Sequence, residues 1–234
     1  MAGDSPPSRA PWLDEIKRTG RLTIGFDASL GTTLWDRVFR DAIFEFNKLS
    51  SSYRLGVTFV RAEDSTRANV EARAANGDFE FEYLPDIPRR TIRFDGKTVH
   101  GLCKPLLTQV TDRARVDHYK VMKAFIYVPA TPMGESNGQL RPVGDPVKLV
   151  IAVHEMIHAC GLVDDKEHSV DDIFSWPQLR MGDQPSEDRL ATLGGTITFR
   201  GKPGEPPRTG HSMVNMPPLF LKNETIEKVQ RLWS

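Results

Sequence analysis

The amino-acid sequence predicts one layered domain of the α+β (α/β layered) class, in which a mixed twisted sheet packs against helices. The chain has 234 residues, of which 39% are hydrophobic, enough to bury one substantial core. A strand-like segment, an amphipathic segment and further strand-like segments follow one another along the chain. A nearly continuous apolar helical segment then comes in the second half, and a short amphipathic one closes the chain.

Composition and charge exclude several classes of function. Lys plus Arg number 31 and Asp plus Glu number 31, so the formal net charge is zero, and we expect neither a nucleic-acid nor a membrane partner. The N-terminus has no apolar run of signal-peptide length, so we expect a cytoplasmic location, with secretion by another route as the alternative. The two cysteines, Cys103 and Cys160, predict buried free thiols in a reducing compartment rather than a disulfide framework.

The first elements follow from local patterns. Residues 1–20 begin with a stretch rich in Pro, Ser and Gly and are expected to form a disordered or extended lead-in. Residues 21–27 alternate apolar side chains on one face, which predicts a half-buried strand. Residues 32–50 repeat apolar side chains at helical spacing behind two threonines, which predicts a capped amphipathic helix. From residue 21 onward we expect a single domain, 21–234.

Further strands are predicted where Val, Ile, Phe and Tyr cluster between turn-forming residues. These segments are 54–62, 69–74 and 123–130 (KAFIYVPA), with TIRF and GLCKPLL as two more candidates between them. Residues 177–210 hold many Gly and Pro and predict an inserted loop or hairpin around GTITFRG. The segment NETIEKVQRLW predicts a last short helix.

The clearest element is a buried helix from about Pro146 to Cys160. Asp145 can cap its start, proline suits its first turn, and Gly161 supplies a terminator. Within it, His154 and His158 are four residues apart and therefore share one face of the helix.

This spacing predicts a catalytic zinc site. Two imidazoles on one helical face can converge on one ion, while Glu155, beside the first ligand, can reach a water on that ion without binding the ion itself. Three protein ligands leave a fourth position for that water, and Glu155 is the expected general base. The alternative, two core histidines that flank a glutamate by chance, is disfavoured because burying these groups without partners costs several kcal/mol.

The segment HEMIHACGL resembles the H-E-x-x-H-x-x-G motif of the metzincins, particularly the matrixin-like zinc metallopeptidases. The order of elements over residues 21–233 is similar to that family, but only residues 147–169 and the end of the chain are specific. The resemblance implies a metzincin-like zincin domain with a buried active-site helix and a C-terminal helix. It also implies Gly161 as the turn after that helix and a third zinc ligand shortly beyond it.

Two residues compete for that third position. Family spacing points to position 164, which is Asp164 here, and some small bacterial metzincins resemble this chain in using aspartate there. His168, followed by serine, resembles the His-Ser pair that often closes the matrixin motif, after a four-residue insertion. We favour His168, because the segment from Asp164 to Glu167 is typical of a solvated acidic loop.

The resemblance carries further expectations. Met213 or Met216 would form the methionine turn beneath the zinc, and Cys103 does not match the inhibitory cysteine of matrixin propeptides. The remaining histidines, His100, His118 and His211, lack ligand spacing and are expected to be surface or satisfied core residues. A protein or peptide substrate would lie along an edge strand, expected at KAFIYVPA.

The sequence thus predicts a zinc-dependent endopeptidase. Two other functions stay open. One is a non-catalytic zinc-containing binding module, which Glu155 disfavours because a structural site needs no acid there. The other is a zinc hydrolase of a non-peptide amide, since a metal and a general base serve any acyl transfer.

Overall fold

The structure is a computed structural model. It describes part of the chain, and every statement below concerns that part. The described residues are 7, 9–31, 33, 35–82, 89–94, 101–112, 117–136, 139–142, 145–163, 197–199, 208–210, 219 and 221–234.

A mostly parallel five-stranded sheet forms the centre of the fold. Its strands are β1 (Arg21–Phe26), β2 (Thr58–Arg61), β3 (Val70–Ala74), β6 (Leu102–Thr111) and β7 (Asp117–Val128). The spatial order is β2-β1-β3-β7-β6. All neighbours pair in parallel except β6 and β7, which are antiparallel. The predicted mixed α and β class is therefore confirmed, as is each of the predicted strands in this sheet.

Six short strands form three antiparallel pairs outside this sheet. They are β4 (Gly77–Phe81) with β5 (Arg90–Phe94), β8 (Met133–Ser136) with β9 (Gln139–Pro142), and β10 (Ile197–Phe199) with β11 (Arg208–Gly210). Strand β5 contains the predicted TIRF strand. Strands β10 and β11 lie in the segment where an inserted loop or hairpin was expected around GTITFRG.

Four α-helices accompany the sheet in the described part of the chain. They are α1 (Asp14–Lys17), α2 (Trp35–Tyr53), α3 (Asp145–Ala159) and α4 (Asn223–Trp233), and a 3-10 turn covers Ala28–Leu30. The predicted amphipathic, buried and C-terminal helices are all present. None of the described helices is both long and apolar enough to cross a bilayer.

The main core lies between the sheet and the helices. Helix α2 contributes the apolar stripe that its sequence predicts, with Trp35, Phe39 and Phe46 fully buried. The Phe46 ring meets the Phe59 ring of β2 edge to face, with 4.7 Å between their centroids. These contacts fix α2 against the sheet, and α3 packs beside α2 in the same cluster of buried residues.

We expected a disordered or an extended lead-in, and the disordered form of that prediction is wrong for residues 9–20, which make isolated β-bridges at Arg9 and Trp12 and contain α1. Trp12 is 1% exposed, and its indole nitrogen donates to the Ala159 carbonyl at the end of α3 over 2.8 Å. Backbone hydrogen bonds also join the segment to Gly161 and to Val121 of β7. The polar composition concealed these contacts because they involve partners far along the chain.

The KAFIYVPA strand is not an edge strand, so the prediction that a substrate would lie along an edge strand at KAFIYVPA is wrong. Strand β7 pairs with β3 on one side and β6 on the other, so β6 is the terminal strand of the described sheet. The continuous apolar run of β7 fits an interior strand covered on both faces. Ala124, Ile126 and Val128 join the main core, whereas Phe125 and Tyr127 pack on the opposite face beneath β4.

That opposite face also carries a cluster of charges. Glu71 of β3 is 4% exposed and accepts a hydrogen bond from Lys123 of β7 over 2.8 Å. Arg73 pairs with the same carboxylate and lies over the Phe125 ring, 5.0 Å from its centroid. The buried glutamate is thus compensated by two cations, as a buried charge requires.

Candidate metal centre

The candidate site lies on α3, whose buried face anchors it in the core. The residues of that face are Leu149, Val150, Ala152, Val153, Met156 and Ile157. The helix ends at Ala159, and Gly161 follows with a φ of +112°. A Cβ at Gly161 would overlap the Ala10 carbonyl oxygen, so both the backbone conformation and the close approach require glycine here. The predicted terminator is confirmed.

His154 and His158 converge as their spacing predicts. Their Nε2 atoms are 3.1 Å apart, and their ring centroids are separated by 4.8 Å at an interplanar angle of 72°. Two imidazole nitrogens bound to one tetrahedral zinc, each at ~2.0–2.1 Å, would be ~3.3 Å apart. The observed separation is close to that value, so both nitrogens could bind one ion with little movement.

The second histidine is held in one tautomer. Its Nδ1 lies 2.5 Å from the carbonyl oxygen of Leu162, and His158 is buried. Because a carbonyl oxygen can only accept, Nδ1 carries the proton and donates it. In neutral His158 the Nε2 atom is then unprotonated, and its lone pair points outward from the ring. Metal-bound histidines characteristically donate their other ring nitrogen to a carbonyl or carboxylate in this way.

The donor set therefore suits zinc. With Nε2 of His158 as an acceptor, the 3.1 Å contact is a hydrogen bond only if Nε2 of His154 carries a proton. If His154 is instead protonated on Nδ1, both Nε2 lone pairs meet and a cation between them relieves the repulsion. Neutral imidazole nitrogens are common zinc ligands, so these two residues fit the predicted metal.

The Glu155 side chain extends from α3 and is buried against Gly101, the residue that precedes strand β6. It is 4% exposed, and a Cβ added to Gly101 would lie only 2.5 Å from its Oε1 atom. Cys103, two residues further along the chain, is also buried. Burial raises the pKa of the Cys103 thiol well above its ordinary range, and the negative charge of Glu155 adds to that rise. The carboxylate thus lies between α3 and the beginning of β6.

Several predicted site residues lie outside the described residues. Both candidates for the third ligand, Asp164 and His168, are among them, as are the two candidate turn methionines. The two methionines are Met213 and Met216. The histidines His100 and His211 also lie outside the described residues. Within the described ranges, no group of three or more His, Cys, Asp or Glu side chains is placed to hold a metal.

The other predicted roles can be compared with the structure. His118 is an exposed residue that pairs with Asp112 over 3.1 Å, as expected of a histidine outside the site. Both cysteines are buried and free, which confirms the predicted thiols. The buried Cys160 thiol, just after α3, donates to the Met156 carbonyl of that helix over 3.3 Å.

No protein-family model matches this chain, and the search of curated proteins finds no match either. The candidate site therefore rests on its own geometry and chemistry.

Sequence reasoning missed two participants in the site. One is the Leu162 carbonyl, which could have been found, because a glycine terminator folds the next residues back over the last helical turn. The other is Gly101, which precedes a strand 54 residues away from Glu155 along the chain. No local signal links a glycine at a strand start to a carboxylate on a distant helix.

Proposed function

We propose that this chain is a zinc-dependent endopeptidase with a metzincin-like fold. The observation that carries the proposal is the convergence of the His154 and His158 Nε2 atoms, 3.1 Å apart, with His158 held in the metal-binding tautomer. The mixed sheet, the buried helix α3 and the closing helix α4 are compatible with that fold.

In this proposal His154, His158 and a third residue, His168 or Asp164, hold the ion. Zinc held there would lower the pKa of a bound water to around 7 and polarise the scissile carbonyl. Glu155 follows His154 directly on α3 and is thus beside the ion without being one of its ligands. With zinc bound, Glu155 would accept the proton of the attacking water and return it to the leaving amine.

The substrate would lie along β6 rather than β7. Strand β6 is the terminal strand of the described sheet, and its first residues adjoin Glu155. A peptide added to this edge would use backbone hydrogen bonds for affinity and side-chain pockets for preference. It would bring its scissile bond toward the beginning of β6, the end of the strand nearest the catalytic carboxylate.

Metal content tests the first half of the proposal. Purified wild-type protein is expected to hold one zinc per chain, and His154→Ala and His158→Ala are expected to lose it. His118→Ala is the matched control, since this exposed histidine should leave zinc content unchanged. His168→Ala and Asp164→Ala then decide the third ligand, because only the true ligand is required for stoichiometric zinc.

Cleavage of a mixed peptide library, followed by mass spectrometry, tests the second half. Glu155→Gln keeps the shape of the side chain but cannot act as a base, so we expect zinc to stay bound and cleavage to fall by about 10²–10⁴-fold. Removal of zinc by a chelator should abolish the same cuts. An intact library beside stoichiometric zinc would refute the endopeptidase and point to a binding module or to a non-peptide amide.

A further inference from the structure

The glycine at the start of β6 has no conformational reason to be glycine. Four described glycines have a positive φ, and Gly101 is not among them. Its backbone would therefore accept any L-residue. Glycine in a strand or at its start is otherwise unfavourable, because the backbone loses more freedom on folding. The reason for Gly101 must lie in what surrounds it.

What surrounds Gly101 is the catalytic carboxylate. A Cβ built on this glycine would lie 2.5 Å from Oε1 and 2.9 Å from Cδ of Glu155, and 2.8 Å from the Ile151 Cγ2 atom. Each distance is shorter than a carbon side-chain atom normally allows. The space that a methyl group would need is thus occupied mainly by the end of the Glu155 side chain.

The alternation of β6 shows why the strand meets the helix here. Cys103, Pro105 and Leu107 point into the protein at every second position, and Gly101 continues that inward row by one step. Leu107 and Cys103 pack in the main core, to which the apolar residues of α3 also belong. At Gly101 the same row reaches Glu155, and only a residue without a side chain leaves room for the carboxylate.

We propose that Gly101 is a positioning residue for Glu155. Its α-carbon forms one wall of the space that holds the carboxylate, so the start of β6 limits where the general base can be. A methyl group there would press on the carboxylate, because β6 is paired with β7 from Leu102 onward and the helix is anchored in the core. The proposal rests on the proposed function, since it concerns the base of that reaction.

Gly101→Ala tests this role, with Gly31→Ala as the matched control. Gly31 also lacks a positive φ, and a Cβ there would have as its nearest neighbour the Ala28 carbonyl oxygen at 3.4 Å, an ordinary contact. We expect Gly101→Ala to keep zinc and KM within a few-fold of wild type, and to lower kcat by about 10–100-fold through misplacement of the base. Gly31→Ala should leave all three unchanged.

A thermal double-mutant cycle tests the contact without using activity. Gly101→Ala is expected to lower the Tm by about 2–12 °C in wild type and in Glu155→Gln, whose side chain has the same shape. In Glu155→Ala, where the space is vacated, the loss should fall to less than half, with the remainder due to Ile151. If Gly101→Ala alone does not fold, recovery of folded protein in the double variant gives the same answer.

The outcomes separate this inference from the proposed function. An equal Tm loss in all three backgrounds, or an unchanged kcat in Gly101→Ala, would overturn the positioning role. A wild-type protein that cleaves nothing would overturn the proposed function, while the thermal cycle would still decide whether Gly101 confines Glu155.

Discussion

The segment before β1 is predicted to be essential for stability, and Trp12 is the residue that tests it. Its side chain is fully buried, and its indole nitrogen donates to the Ala159 carbonyl over 2.8 Å. The Leu13 amide donates to the Val121 carbonyl of β7, and the Val121 amide donates to the Pro11 carbonyl, so the segment is paired with β7. Trp12 therefore connects the sheet with the end of the helix that carries both histidines.

The size of the effect follows from these contacts. Truncating a buried aromatic side chain to alanine costs about 3–5 kcal/mol, because it removes apolar contacts and leaves a cavity. For a chain of this length each kcal/mol lowers the Tm by about 2–4 °C, so Trp12→Ala should lower it by about 6–20 °C. Trp12→Phe keeps most of the apolar volume but removes the donor from the Ala159 carbonyl, which should cost about 1–3 kcal/mol.

Thermal and urea unfolding, followed by circular dichroism, measure both variants. Phe44→Ala serves as the control, because Phe44 is 68% exposed and its loss should change stability by no more than about 0.5 kcal/mol. If Trp12→Ala were as mild as the control, the segment would be peripheral and our description of it would be wrong. If Trp12→Phe matched wild type while Trp12→Ala did not, the indole hydrogen bond would contribute nothing.

Three further predictions follow from the described contacts. Glu71→Gln should lower the unfolding free energy by about 1–3 kcal/mol, because Lys123 loses the buried carboxylate it contacts at 2.8 Å; urea unfolding measures this. Hydrogen bonds from the Ser29 side chain and backbone lower the pKa of Asp27, so its stabilising effect is present above about pH 4 and is lost as pH falls below its folded pKa. Asp27→Asn should therefore make the stability less sensitive to acid below about pH 4. Both thiols are buried with raised pKa values, so a thiol reagent at pH 8 should label them only after unfolding.

The elements that the sequence predicted well are those whose signals are local. Strand β1 alternates, and Leu22 and Ile24 are fully buried on its inner face as expected. Helix α3 covers Asp145–Ala159, close to the predicted bounds, and Gly161 follows with a positive φ, as the terminating residue indicated. The convergence of the two histidines is also local, since residues four apart on a helix share a face whatever the rest of the chain does.

The expectations that were wrong depend on long-range pairing. Residues 9–20 carry little apolar periodicity, yet Trp12 contacts Ala159, 147 residues away. Strand β7 was recognisable as a strand from its sequence. That sequence does not indicate whether the strand pairs with one neighbouring strand or with two. The position of Glu155 against Gly101 has the same character, because it follows from how β6 packs on α3.

The carbonyls that follow the two histidines explain why such distant residues matter to the site. The carbonyl of Ala159 at the end of α3 and those of the turn after it have no partners within the helix, and here each accepts from a different source. Trp12 donates to Ala159 over 2.8 Å, and Trp233 of α4 donates to Cys160 over 2.9 Å. The Ala10 amide donates to Gly161 over 3.0 Å, and His158 itself donates to Leu162.

Both ends of the described chain thus hold the turn after α3. This arrangement limits fraying at the end of the helix where His158 lies, a position that would otherwise be the least constrained on α3. A metal centre needs ligands held to within a fraction of an ångström, which a frayed helical turn does not supply. The contacts of Trp12 and Trp233 therefore support the proposed metal centre, although neither side chain is a candidate ligand.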